Sequence, residues 1–158
     1  MFIYSGFRIS ELLGLKTANT DLEKGTFQGG IKSAAGKNRI VPIHSLITEM
    51  VERKVKEGNE FLFAYNGKRY SKIQYYSLWN EILERLGIDK TPHECGHTFE
   101  SLLNSAGANR KCIDLIMEHK SKGTGQRVYT HKALQELKDA IELIKRKKQL
   151  NRIELISR

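Results

Sequence analysis

Apolar residues recur along most of this chain at spacings of three and four, the period of helices buried on one face, and at a spacing of two only between residues 21 and 43. Near the start, Ile9, Leu12 and Leu13 share a helical face from about Arg8, and Gly14 ends the run. The period-two stretch is rich in β-branched residues and predicts strands over 26–31 and 39–43, joined by a turn over 33–37; Pro42 is tolerated only near an edge or a strand end. From there the pattern reads as helical to the end of the chain. Ser45 is a candidate cap for a helix with Ile47, Met50 and Val51 inward and Gly58 past its end. Ser71 is a candidate cap for another, carrying Ile73, Tyr76, Trp79, Ile82 or Leu83, and Leu86, and stopped by Gly87. Thr91-Pro92 opens a third helix through Phe99, Leu102 and Leu103 to Gly107, and Asn109 caps a fourth through Ile113, Ile116 and Met117. Leu134, Leu137, Ile141 and Ile144 form the stripe of a last helix, followed by the basic run Lys145-Arg146-Lys147-Lys148. The fold class that follows is mainly α with a small antiparallel β-sheet.

At 158 residues the chain suits one domain. An apolar fraction of 39% can build a core, and no stretch approaches the ~20 apolar residues of a membrane span. Charge adds a partner class: 27 Lys and Arg against 18 Asp and Glu leave a net +9, which attracts polyanions, nucleic acid foremost. Two cysteines, Cys95 and Cys112, make no disulfide framework and read as buried helix residues, and a cytoplasmic, reducing setting is expected. The opening Met1-Phe2-Ile3-Tyr4 is apolar without a polar lead-in, so a further upstream domain is expected in the parent protein.

His93-Glu94-Cys95-Gly96-His97 matches H-E-x-x-H, in which two histidines on one helical face bind zinc and the glutamate serves as base. A zinc hydrolase would need a third ligand, with Glu118 or His119 at a suitable distance downstream. Against this reading, so short a pattern arises by chance in many chains, and Gly96 weakens the helix that should hold the ligands.

A longer, ordered series carries a different reading. Ser5-Gly6-Phe7-Arg8-Ile9-Ser10-Glu11-Leu12-Leu13-Gly14-Leu15 closely resembles the first arginine box of the tyrosine recombinases, the phage and transposon integrase family, T-G-x-R-x-S-E-L-x-x-L. Lys32-Ser33 and Gly36-Lys37-Asn38-Arg39-Ile40-Val41-Pro42-Ile43 resemble the family's β-hairpin lysine segment. Thr91-Pro92-His93 with His97-Thr98-Phe99 resembles its second box, T-P-H-x-x-R-H-T-F. Leu115-Ile116-Met117, His119 and Val128-Tyr129-Thr130-His131 resemble its third box and nucleophile. Four boxes in order make a chance match remote, although each residue alone has a plainer reading: a surface arginine, a solvated hairpin lysine, a packed tyrosine.

The resemblance implies a catalytic domain over residues 1–145 and a basic tail over 146–158, acting on double-stranded DNA and assembling, as a tetramer, only on DNA with the full-length protein. It implies no cofactor and no metal. Metal-free phosphodiester cleavage needs a nucleophile, cations for the phosphorane oxygens and an acid for the departing 5′ oxygen. By resemblance Tyr129 is the nucleophile, forming a 3′-phosphotyrosine; Arg8 forks onto the phosphate; Lys32 is the general acid, with Lys37 on the same hairpin as an alternative; His93 is base or phosphate ligand; His119 is a further donor. Glu11 supports the site, and His97 and His131 are structural or near the phosphate. Two positions depart from the family: Gly96 stands where the second arginine is usual, and Glu118 where a glycine is usual. Losing one phosphate donor costs on the order of 3 kcal/mol, and a mid-helix glycine about 1 kcal/mol more. The expectation is therefore a recombinase-fold chain with impaired cleavage, or a non-catalytic DNA-binding remnant.

Overall fold

Phe27 and Val41 lie directly opposite each other in a three-stranded antiparallel sheet, both wholly buried, and the helices close over that face. In the computed structural model, which describes residues 1–29, 39–117 and 131–145, the sheet has the order β1 (Thr20–Asp21), β2 (Thr26–Gly29) and β3 (Arg39–Pro42). Among the described residues six α-helices accompany it: α1 (Ile9–Leu13), α2 (Ser45–Lys56), α3 (Lys72–Leu86), α4 (Glu94–Ser105), α5 (Arg110–Met117) and α6 (His131–Ile141). The architecture is the mainly helical one, with a small antiparallel sheet, that the patterning predicts. No described helix is long and apolar enough to cross a membrane.

The core is built from helical repeats that the sequence displays. Phe99 and Leu103 of α4, Ile113 and Ile116 of α5, and Leu137 and Ile141 of α6 are essentially inaccessible to solvent. Each such side chain contributes about 1.5–3 kcal/mol on burial. Cys95 and Cys112 are buried free thiols, as expected. Ser71 caps α3 reciprocally with Gln74, and Gly87 ends the helix in the left-handed conformation. Asn109 accepts the Lys111 N–H at 2.9 Å ahead of α5.

Several expectations are corrected. The stretch after residue 43 is not helical throughout: β4 (Ala64–Tyr65) and β5 (Lys68–Arg69) form a hairpin. Its turn, Asn66-Gly67, has positive φ at both residues, and Asn-Gly is the strongest short hairpin signal a sequence offers. The cap of α2 is His44, whose Nδ1 accepts the Leu46 N–H at 3.0 Å, rather than Ser45. The helix expected from Thr91 begins at Glu94, because Thr91 and Pro92 form the turn before it, and Leu102 faces solvent. In α3 the inward residues are Tyr75 and Trp79, which meet the Phe2 ring edge-on at 5.7 and 6.2 Å; Ile73, Ile82 and Leu86 are exposed. The first hairpin strand is described only to Gly29, since 30–38 lie outside the described residues. Ile144 is buried but lies past the end of α6.

Candidate active site

A cavity of about 360 Å³ opens between the entry to α1 and the first turns of α4. Arg8, Ser10, His93, Gly96, His97 and Glu100 contribute to its wall, with Tyr76 of α3 and Met117 of α5 closing the sides. Gly6 sets the approach to Arg8. Its φ of +62° is one that side-chain-bearing residues avoid, and a Cβ there would lie 2.7 Å from Met117 Sδ and 2.8 Å from Phe99 Cδ1. Only glycine allows the chain to turn against those two side chains. Phe7 is then driven into the core and Arg8 is left at the surface in extended conformation, its side chain half exposed.

Glu11 holds this entry. Its Oε2 accepts the Arg8 backbone N–H at 2.8 Å, the reciprocal arm of a helix-capping arrangement, and its Oε1 lies 3.7 Å from Arg8 Nη1. The carboxylate is buried, and a second guanidinium reaches it from β3, with Arg39 Nη2 donating to Oε2 at 3.0 Å. Glu11 thereby fixes the backbone that carries Arg8. Arg39 is a residue the sequence reading missed. Its parity offered a signal, since it alternates with Ile40 and shares the buried face with Val41.

Across the cavity, His93 lies in the turn before α4 and His97 one turn later, their rings edge-to-face with centroids 5.2 Å apart. Glu94, between them, is turned to other partners. Its Oε2 accepts from the Thr91 N–H at 2.8 Å and the Thr91 hydroxyl at 3.1 Å, and its Oε1 from Lys90 Nζ at 2.9 Å. The Thr91 N–H foremost, then the Lys90 ammonium, push its carboxyl down to about 2. A carboxylate so acidic and so occupied is a poor general base, which weighs against the zinc hydrolase. Among the described residues no three His, Cys, Asp or Glu side chains form a group able to hold a metal ion.

Of the expected site residues, Arg8, His93 and His97 meet at this one cavity with Gly96 between them, and Glu11 stands directly behind Arg8. Lys32, Lys37, Glu118, His119 and Tyr129 lie outside the described residues. Gly96 is the third residue of α4 rather than a mid-helix one, and a Cβ there would meet nothing within 4 Å, so the space for a longer side chain is open. Of His97, Arg110 and Lys111, basic residues able to substitute in part for the missing arginine, His97 lines the cavity. Arg110 instead pairs with Glu100 and Asp114 at 2.9 Å each, and Lys111 is not on the wall.

The geometry accords with comparisons to known proteins. The family model described as the phage integrase family matches residues 1–136. Tyrosine recombinase XerA of Pyrococcus furiosus is 32% identical over 147 residues, covering 87% of this chain and 50% of the relative. Tyrosine recombinase XerC of Thermodesulfovibrio yellowstonii is 31% identical over 156 residues, covering 87% and 50%. A crystal structure of XerA recombinase superposes with a TM-score of 0.66 at 26% identity, covering 86% of this chain and 53% of that one. The Tn1549 transposon integrase in complex with circular intermediate DNA superposes with a TM-score of 0.65 at 22% identity, covering 85% and 53%, a likeness of fold. The chain spans about half the length of the curated relatives it matches. With the family match extending across all but the last 22 residues and the fold in agreement, this chain belongs to the phage integrase family, that of the tyrosine recombinases.

Proposed function

We propose that this chain is the catalytic domain of a DNA integrase or site-specific recombinase of mobile-element type, cutting and rejoining duplex DNA through a 3′-phosphotyrosine. The observation that carries the reading is the convergence of Arg8, His93 and His97 on one open cavity. An arginine and two histidines lining one cavity suit a phosphodiester, whose non-bridging oxygens take two-pronged hydrogen bonds from arginine and single ones from histidine. In the proposed reaction the Tyr129 hydroxyl oxygen attacks phosphorus, giving its proton to His93 or to water. Arg8, His93 and His119 stabilise the added negative charge. The bond to the 5′ oxygen breaks as that oxygen takes a proton from Lys32. The phosphotyrosine keeps the energy of the broken bond, so a 5′ hydroxyl restores the strand by the reverse path.

Cleavage by this chain is slow in the same proposal, because Gly96 supplies no cation and Glu118 is a carboxylate at a position where the family usually has glycine. Residues 1–145 form the catalytic unit and 146–158 a basic tail, and tetramers assemble on DNA in the full-length protein. The test is a nicked suicide substrate in which the cut segment diffuses away, trapping protein on DNA. It is to be run on protein fused to an upstream DNA-clamping domain. Gly96→Arg is expected to raise Tyr129-dependent adduct on the order of a hundredfold, and more when combined with Glu118→Gly. If the double variant binds DNA as the parent does yet forms no more adduct, Gly96 is not the defect. A chain that forms no adduct in any of these variants while binding duplex DNA is a non-catalytic DNA-binding remnant.

A further inference from the structure

Behind Arg8, away from the cavity wall, lies a pair of opposite charges that the proposed chemistry does not use. Arg39 and Glu11 have side-chain exposures of 2% and 3% and are joined at 3.0 Å, with the Arg39 guanidinium 4.8 Å above the Phe7 ring. Burying two ions costs several kcal/mol each, and apolar replacements of similar volume are often as stable or more so. Net stability therefore does not account for the pair. Its place in the chain offers another account. The same Glu11 oxygen that takes the Arg39 hydrogen bond also takes the Arg8 backbone N–H, while the other oxygen lies 3.7 Å from the Arg8 guanidinium, beyond a good hydrogen bond. A carboxylate so close to Arg8 can act in two ways. It can hold the backbone, or it can capture the guanidinium and draw it from the cavity wall.

We propose that Arg39 is a positioning residue for Arg8: by sharing the charge of Glu11 it lets that carboxylate fix the Arg8 backbone while holding the Arg8 guanidinium only loosely, at 3.7 Å. This rests on the reading of Arg8 as the phosphate-binding cation. Arg39 is also the β3 residue paired with Gly29 of β2, so the ion pair ties this end of the β2–β3 pair to the entry of α1.

The test uses the full chain and reads the Arg8 side-chain Nε–H resonance, assigned by its loss in Arg8→Lys, with and without a short duplex DNA. In wild type the signal is expected to shift on adding DNA. Arg39→Met removes the neutralising charge at similar volume; without DNA its Arg8 signal is expected to move as the guanidinium closes on Glu11 from its 3.7 Å separation, and its affinity for the duplex to fall roughly tenfold. Adding Glu11→Gln to Arg39→Met removes the competing carboxylate and is expected to restore both. Arg39→Lys, which keeps the charge, is expected to stay near wild type. Rescue by discharging Glu11 is an outcome that a purely structural Arg39 does not predict. An unmoved Arg8 signal in folded Arg39→Met, or a folded double variant no better than the single one, would overturn the proposal. If Arg39→Met does not fold, the double variant and Arg39→Lys decide alone: either one folded with a displaced Arg8 signal overturns it. A wild-type Arg8 signal indifferent to DNA overturns instead the phosphate reading, while the DNA-free comparison still tests Arg39.

Discussion

Two glycines at the same cavity are under opposite constraints. Gly6 adopts φ +62° with Met117 and Phe99 pressed against the position of a missing Cβ; Gly96 is helical and faces open space. Gly6→Ala must pay for a left-handed backbone and displace a wholly buried phenyl ring, and is expected to lose about 2–4 kcal/mol of stability. Gly96→Ala relieves backbone entropy without a clash and is expected to gain up to about 1 kcal/mol. Urea unfolding of the two variants checks the pair, and a Gly6→Ala chain as stable as wild type would show that the Gly6 turn is not packed as described. The sequence made both glycines visible by their places in the two boxes, yet it could not separate them. What distinguishes them is the distance to side chains over ninety residues away in one case and the lack of any neighbour in the other.

At the scale of elements, α4 shows a motif whose local reading and actual role differ. H-E-x-x-H suggested a metal-binding helix, but the helix begins at the glutamate, and Glu94 spends its oxygens on Thr91 and Lys90 at the helix start. An anionic side chain there also meets the positive end of the helix dipole. Its carboxyl is lowered from 4.5 to about 2, so the folded state binds its proton less readily than the unfolded one. The stabilisation is complete above the unfolded value and is lost as pH falls from near 4.5 through about 2. Thermal melts across that range are expected to show Glu94→Gln less stable than wild type at neutral pH and the two converging near pH 2; parallel curves would contradict the cap. The caps at Ser71 and Asn109, the stops and the periodic core positions of α4, α5 and α6 were legible because they depend on neighbours in sequence. The α3 face was not. Its apolar residues occur on more than one side, and which side turns inward is set by Phe2, a contact 73 residues away. The Asn66-Gly67 hairpin was legible in principle and was hidden by the helical patterns on both sides. Arg8, His93 and His97 were found through ordered motifs, whereas Arg39 was overlooked because a charged residue on a strand usually faces water.

For the whole molecule, the end of α6 determines how the chain presents itself to partners. Leu137, Ile141 and Ile144 are buried in the chain's own core. The segment after the helix is fastened to the start of α2: His44 Nε2 bonds the Ile144 carbonyl oxygen at 2.8 Å, and Glu142 accepts the Ser45 N–H and hydroxyl, each at 2.7 Å. Burial opposes the charge on Glu142, but the Ser45 hydrogen bonds, with His44 and Lys145, outweigh it and hold the carboxyl below its ordinary range. Apart from the half-buried Leu134, the stripe of α6 is thus satisfied within one chain, and sedimentation is expected to find the isolated protein monomeric or weakly associating. A tight tetramer without DNA would show that the stripe is not what governs assembly. In the proposed reading the net +9 acts on DNA through single chains, by phosphate contacts that release counterions. Affinity for a duplex is expected to fall about tenfold or more between 50 and 200 mM salt, with little dependence on sequence. Arg8→Ala separates the site from the general field: removing a cation that touches one phosphate lowers the slope of log affinity against log salt by about one, whereas removing a charge that touches no phosphate changes both affinity and slope little. An unchanged slope for Arg8→Ala, or affinity flat across that salt range, would place the DNA away from this cavity.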